Sequence, residues 1–382
     1  MDVRRLAFLH AQEIEALAYP PACPFKTERA ALTRKRLLSL GLLGGPGQAE
    51  VAPRRATLSE LGRIHTAEYL EQLQRAASGD LTVEGLHMGI GGHDTPVFKD
   101  MFEHGSWACG AGITGCDLLL KGEADIVFNL HGGLHHAMAA RASGFCYLND
   151  VALACTHLAA AGKRTAYVDV DAHHGDGVQS LLYERNDVLK ISLHESGRTL
   201  FPWGGFEDEI GEGKGLGFNV NIPLPAEIYD EAYISTFNKV AMPLLRAFDP
   251  DCLVIGLGMD TLSGDPLTHL RLTNNIVPEV LKPLLALSRP MLVAGGGGYN
   301  VGNTVRGWAL AWSTCRGDDL GDEHFPVVGG NMLGSSEWTG GLRDPARPVF
   351  PEQRAATDAE LLATCRRLRA TLFPLHGLSV DE

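Results

Sequence analysis

Six short apolar runs rich in β-branched residues alternate with helix-patterned stretches along this chain, and that alternation restricts the fold more than any other feature. The runs are RLAFLH at 5–10, ADIVFNL at 124–130, RTAYVDV at 164–170, VLKISLH at 188–194, DCLVIGL at 251–257 and PMLVAG at 290–295. They read as near-continuous hydrophobic segments, the pattern of strands covered on both faces. Helical spacing marks 29–40, 58–78, 151–162, 229–248 and 303–315. Strands alternating with helices predict an α/β fold with a central, mostly parallel sheet flanked by helices. A chain of 382 residues, 45% of them hydrophobic, can bury such a core as a single domain spanning 1–382. The longest loop-like stretches are 77–100, 195–217 and 317–352, rich in Gly and Pro.

Composition excludes several partners. The formal net charge of −13 argues against nucleic acid and anionic membranes, both of which reward Lys and Arg. No apolar stretch reaches the roughly 20 residues of a membrane span. The start, MDVRRLAFLH, lacks the long apolar region of a signal peptide. Eight cysteines without a C-x-x-C pair point to buried thiols in a reducing cytoplasm. The sequence leaves the oligomeric state open.

The chemistry-bearing residues follow the strands. HGGLHH comes after 124–130, DVDAHHGD (169–176) closes 164–170, and HESGRTLFPWGG follows 188–194. GMDTLSGDP comes after 251–257, and GGGGYN after 290–294. In open α/β sheets the ligand crevice lies beyond the carboxyl ends of the strands, so five polar clusters are expected to converge there. Polar loops after strands are ordinary, but that explains one or two such clusters better than five.

Along an extended strand alternate side chains share a face, so Asp169, Asp171 and His173 point one way. Asp171 and His173 can share a metal ion; a buried ion pair or a helix cap is the plainer alternative, and the octet alone does not decide between them. Asp260, at the end of another inner strand, supplies a third ligand and tips the balance, because an uncompensated carboxylate there would be costly. Three ligands with an open position suit catalytic Zn²⁺, and two carboxylates also admit Fe²⁺, Mn²⁺ or Co²⁺. The adjacent His135 and His136 offer bases near neutral pH, with Asp169 and Asp176 left to orient one each. His131, His157, His269 and His324 read as surface residues. The run 295–298 fails the dinucleotide and phosphate-loop patterns, since residue 300 is Asn and no Lys-Ser/Thr follows. Its glycines instead free Tyr299 to donate a hydrogen bond to a developing oxyanion, with a buried structural Tyr as the alternative.

With these stretches in place, the sequence resembles the zinc-dependent histone deacetylase family, especially its class I and bacterial acetoin-utilisation-type members. The matching segments are GGLHHAMAARASGFCYLNDVALA, YVDVDAHHGDGVQ, ISLHESGRTLFP, GMDTLSGDPLTHLRLT and AGGGGYN, within a core of about 20–315. The resemblance implies an arginase-like fold and hydrolysis of the acyl amide of N6-acetyl-lysine in a peptide or protein by metal-activated water. It implies Zn²⁺ on Asp171, His173 and Asp260, and an acid/base pair of His135 and His136 backed by Asp169 and Asp176. Tyr299 would polarise the acyl carbonyl. Gly144, Phe145, Phe201 and Leu267 would wall the acyl-lysine channel, Asp94 would hold the substrate backbone at the rim, and Arg29 would stand near an internal acetate-release cavity. A structural K⁺ would use Asp169, Asp171, His173, Ser192 and Leu193, and hydroxamate-type inhibitors are expected to bind. Met259 stands where the family has a small residue before the metal Asp. Three rivals differ in chemistry. An arginase-like binuclear manganese hydrolase needs carboxylates where this chain has Gly175 and Leu262. An acetylpolyamine amidohydrolase would act on a free small amide, and a silent acyl-lysine-binding module would lack turnover.

Overall fold

The computed structural model describes residues 4–318 and 341–380. His324, and the greater part of the loop expected at 317–352, lie outside the described residues. The six expected strands form as Leu6–Leu9 (β1), Ile126–Asn129 (β3), Thr165–Asp169 (β4), Val188–Glu195 (β5), Cys252–Gly256 (β7) and Met291–Ala294 (β8). Two more, Gln48–Val51 (β2) and Asn219–Leu224 (β6), complete an eight-stranded sheet in the order β2-β1-β3-β8-β7-β4-β5-β6, with every pair parallel. The chain is a single α/β domain built on this sheet.

Side chains alternate between two cores. Phe8, Phe128, Val168, Ile255 and Val293 pack against Trp308, Trp312, Leu281 and Leu37 on one face. Ala7, Leu9, Val127, Tyr167, Val254 and Leu292 pack against Ile113, Cys109, Val151 and Leu153 on the other. The first set meets the helices Arg29–Ser39, Ile276–Ala286 and Val301–Arg316; the second meets Met101–Leu120 and Asp150–Ala160. Helices therefore cover both faces, as a parallel sheet requires.

Local chemistry adjusts the expected helices. The stretch 58–78 is two helices, Leu58–Leu61 and Ala67–Ala77, because Thr57 and Thr66 each cap a new start. The stretch 229–248 is interrupted by one π-turn at Phe237–Ala241, just before Pro243, which has no N–H to donate. The expected loop 77–100 contains a short helix, Val83–His87. All eight cysteines are free and seven are buried, as the composition implied. No described helix is long and apolar enough to cross a membrane.

Candidate metal centre and acyl pocket

Five of the eight strands carry a polar cluster at their carboxyl end, and those five, β3-β8-β7-β4-β5, are consecutive neighbours in the sheet. Sheet order thereby brings together segments more than 100 residues apart. At the base lie Asp171, His173 and Asp260, all buried, each offering a ligand atom within 4.8 Å of the others. β4 ends at Asp169, so the octet leaves the strand before Asp171. Backbone bonds then fix the turn. Asp171 N–H donates to Asp169 Oδ1 at 3.1 Å, His173 N–H to Asp171 Oδ1 at 2.9 Å, and Ala172 N–H to Asp260 Oδ1 at 2.8 Å. The Gly run closes the base, with Gly297 N–H donating to Asp171 Oδ2 at 2.6 Å.

This donor set fits a divalent cation. Two carboxylates and one imidazole, all removed from water, carry surplus negative charge that needs compensation. His173 registers the demand. Burial opposes its charged form, yet its hydrogen bonds to the Asp171 and Asp260 carboxylates, and their charges, hold its proton, raising it to about 10.

The tandem imidazoles stand beside the cluster with their rings 4.1 Å apart. His135 Nδ1 meets Asp169 Oδ2 at 2.8 Å, and His136 Nδ1 meets Asp176 Oδ1 at 2.7 Å. With each Nδ1–H given to its carboxylate, the two Nε2 atoms face one another at 3.1 Å, a distance that accommodates one shared proton. Their environments differ. Burial disfavours charge on both, but Asp169 and Asp171 outweigh it at His135, which rises to about 9. At His136 burial is reinforced by the charge of His135 and the group is lowered. His136 is also the ring turned toward the pocket, 5.1 Å from Phe201 and 5.9 Å from His173.

Of the residues expected to wall the channel, Gly144, Phe145 and Phe201 border the same space. Phe145 packs 5.8 Å from Tyr299, and Phe201 packs 6.4 Å from His173. Gly144 has φ +53°, and a Cβ there would fall 2.3 Å from His136 Cδ2, so only glycine lets this wall touch the imidazole. Phe145 itself has φ +65°, a strained conformation for a bulky residue. It is held by N–H donation to Asp94 O at 3.1 Å and by Tyr19 O–H donation to its carbonyl at 2.8 Å. Asp94 Oδ2 accepts Gly144 N–H at 2.7 Å, so the expected rim carboxylate also fastens the wall. Leu267 is half-buried on the loop after β7. Tyr299 lies 6.2 Å from His173; burial, then the Asp260 and Asp171 charges, raise it well above the usual phenol range, so it stays a protonated donor.

Arg29 is buried behind the Gly run. It donates to Gly298 O at 2.8 Å and Gly296 O at 3.0 Å and lies over Phe25 and Trp308. Nearby, among the described residues, His104 Nδ1, His131 Nδ1 and Asn129 Oδ1 are buried without a hydrogen-bond partner. His131 therefore corrects the surface reading: it is 6% exposed, and burial, then His104, lower it to about 3. His157 is half-buried and pairs with Asp117 at 2.8 Å, also unlike a free surface residue; His269 is exposed as expected, with Nδ1 on the buried Glu195. Ser192 sits directly across from Asp169 in the β4–β5 register, with Leu193 next to it.

Met259 is accommodated by a glycine elsewhere. It is 1% exposed, and its Sδ would be 2.3 Å from a Cβ at residue 307, so Gly307 provides the space its side chain fills.

Three positioning residues escaped the sequence reading. Asp150 accepts Leu134 N–H at 2.8 Å and Gly133 N–H at 3.0 Å. Asn149 Nδ2 donates to the carbonyls of His135 and Ala137, and His65 Nε2 accepts Asn149 N–H at 3.1 Å while its Nδ1–H donates to Met138 O at 3.0 Å. Together they grip the backbone on both sides of the tandem histidines. The signal was the Asn-Asp pair ahead of 151–162, a helix-cap signature.

Comparison with known proteins agrees with this geometry. The model of the histone deacetylase domain matches residues 23–315. The acetoin utilization protein AcuC of Bacillus subtilis (strain 168) is 37% identical over 332 residues, covering 85% of each chain. Histone deacetylase 8 of Xenopus tropicalis is 35% identical over 297 residues, covering 77% of this chain and 80% of its own. A crystal structure of an HDAC homolog complexed with SAHA superposes with a TM-score of 0.82 at 30% identity, covering 96% of this chain and all of that one. An HDAC homolog from Aquifex aeolicus gives a TM-score of 0.80 at 30% identity, covering 95% of this chain and all of that one. A family match over most of the chain makes this protein a deacetylase hydrolase of the histone deacetylase family, on its class I and AcuC-like side.

Proposed function

We propose that this enzyme hydrolyses the acyl amide of N6-acetyl-lysine in peptides or proteins. The observation that carries the reading is the pair His135–Asp169 and His136–Asp176 set beside the buried Asp171–His173–Asp260 cluster, under walls that include Phe145 and Phe201. Asp171, His173 and Asp260 would hold a divalent cation, Zn²⁺ in this family, with Fe²⁺, Mn²⁺ or Co²⁺ as substitutes. When bound, such an ion polarises an acyl oxygen and acidifies water.

The remaining work falls to side chains. Phe145, Phe201, Gly144 and Leu267 enclose the lysine methylenes and exclude bulk water. His136, the neutral member of the pair, takes a proton from the water that adds to the acyl carbon. His135, kept protonated by Asp169, stabilises the negative charge then developing. Tyr299 donates its hydroxyl hydrogen to the oxyanion. As the C–N bond breaks, His136 returns its proton to the lysine amine, and the acid proton of the product then passes to that amine, leaving an ammonium and a carboxylate. Arg29, beside the unpartnered His104 and His131, is placed to receive that carboxylate. A K⁺ ion at Asp169, Asp171, His173, Ser192 and Leu193 would tie the ends of β4 and β5 together. Hydroxamates should compete with substrate, consistent with the SAHA complex of the HDAC homolog. We place the enzyme in the cytoplasm on its cysteine usage.

Asp94 at the wall favours a substrate with backbone amides over a free acetylated polyamine. Turnover of an acetyl-lysine peptide measured beside an acetylated polyamine tests this: strong preference for the polyamine would transfer the assignment, and no turnover of either would leave a binding module.

A further inference from the structure

The geometry points to Asp265 as the residue that latches Tyr299 in its working position, a positioning role that rests on the acyl-lysine reading above. The run 295–298 is fastened at its near end. Gly295 N–H donates to Asn129 O at 3.0 Å, Gly297 N–H to Asp171 Oδ2 at 2.6 Å, and Met259 N–H to Gly297 O at 3.0 Å. Gly298 then turns with φ +129°, a conformation that glycine adopts without strain, and a Cβ there would meet Thr304 Oγ1 at 2.4 Å. Beyond that turn the backbone is caught by a carboxylate from another loop. Asp265 Oδ2 accepts Tyr299 N–H at 2.7 Å and Asn300 N–H at 3.3 Å, and Asp265 Oδ1 accepts Leu267 N–H at 3.0 Å.

One carboxylate thus joins the loop after β7, which carries Leu267, to the loop after β8, which carries Tyr299. Asp265 is 9% exposed, and three peptide N–H groups are its hydrogen-bond partners among the described residues. Bonds from N–H to an ionised carboxylate are the strong class, and this carboxylate needs them because it is largely removed from water. The Tyr299 ring packs 5.8 Å from Phe145 and 6.2 Å from His173, and the Asp265 bond holds the backbone from which that ring projects. Asparagine has the same size but accepts at one edge only. Its amide N–H₂ would face either Tyr299 or Leu267 with donor against donor.

The test uses the zinc-loaded full chain with Asp265→Ala, Asp265→Asn, Tyr299→Phe and the double variant Asp265→Ala/Tyr299→Phe. On an acetyl-lysine peptide, kcat of Asp265→Ala should fall by about 10-fold or more with KM within about threefold, and Asp265→Asn should lie between it and wild type. The double variant should lose no more than about twofold beyond Tyr299→Phe, because Asp265 acts through Tyr299. Losses that multiply, or an unchanged kcat in Asp265→Ala, overturn the latch. Zinc content and circular dichroism certify each fold, and Asp265→Asn serves if the alanine variant does not fold. Amide hydrogen exchange separates the latch from the substrate reading. In Asp265→Ala the Tyr299 and Asn300 amides should exchange about 10-fold faster while Gly297 stays protected. Unchanged protection overturns the latch whatever the activity, whereas a wild type inactive on every acyl-lysine peptide overturns only the substrate assignment.

Discussion

His136 Nδ1 lies 2.7 Å from Asp176 Oδ1, and Asp176 is also the first residue of the helix Asp176–Leu182, which the octet opens. The carboxylate that orients the proposed base is therefore fixed by a helix start, while the Asp169 carboxylate behind His135 is fixed by a strand end. Replacing Asp176 with Asn should keep the shape and lose the charge that favours a protonated His136. We expect kcat to fall by about 10-fold or more, read in steady-state kinetics, with hydroxamate affinity changing far less. Equal losses in both would make Asp176 a binding residue instead.

Tyr299→Phe removes one hydroxyl from a pocket that otherwise keeps its walls. If that hydroxyl meets the oxyanion, kcat should drop by roughly 100-fold with little change in KM. An unchanged kcat removes Tyr299 from the chemistry.

Chelation should abolish turnover, and Zn²⁺ or Co²⁺ should restore it at about one ion per chain, measured by metal analysis. The melting temperature should rise on reloading, because the ion offsets two buried carboxylates. Two tightly held ions at the active site would contradict a mononuclear centre.

Asp94 has a second duty that changes its test. Since Asp94 Oδ2 holds Gly144 N–H, alanine would disturb the wall as well as the rim. Asp94→Asn can keep that bond and lose only the charge. We expect kcat/KM on acetyl-lysine peptides to fall by about 5- to 10-fold, since charge-assisted bonds contribute about 1.5–3 kcal/mol each and part of that survives in Asn. A small acetylated amine without backbone amides should be nearly unaffected.

His65 offers a pH test away from the metal ligands. Burial lowers it to about 4, below its unfolded value of roughly 6.5. The unfolded chain then binds the extra proton between those values, so the stability contribution is complete above pH 6.5 and is lost as pH falls toward 4. Wild type should lose about 1–2 kcal/mol more than His65→Gln between pH 7 and pH 5, read from denaturant unfolding. Parallel losses would show that His65 titrates normally in the fold.

The sequence by itself determined a great deal here. Each of the five chemical clusters is contiguous and sits directly after an apolar run, so the candidate Asp–His–Asp cluster, the histidine pair and Tyr299 were all legible from local order. Even the pairing of Asp169 and Asp176 with the histidines followed from the chemistry left over once the metal ligands were named. The edge strand β2 escaped because QAEV is partly exposed and paired on one side only, and β6 because NVNIPL carries two Asn and a Pro. The helix Met101–Leu120 is apolar on nearly every side, so no stripe announced it. Only the tertiary structure decided which strands are neighbours. The order β3-β8-β7-β4-β5 is what gathers His136, Tyr299, Asp260, Asp171 and Phe201 around one space, and nothing in any single segment encodes adjacency to another. The same holds for Gly307 beneath Met259 and for Asp265 beneath Tyr299. Both are contacts across more than 30 residues, set by how helices and loops pack over the sheet, and packing is a property of the whole core.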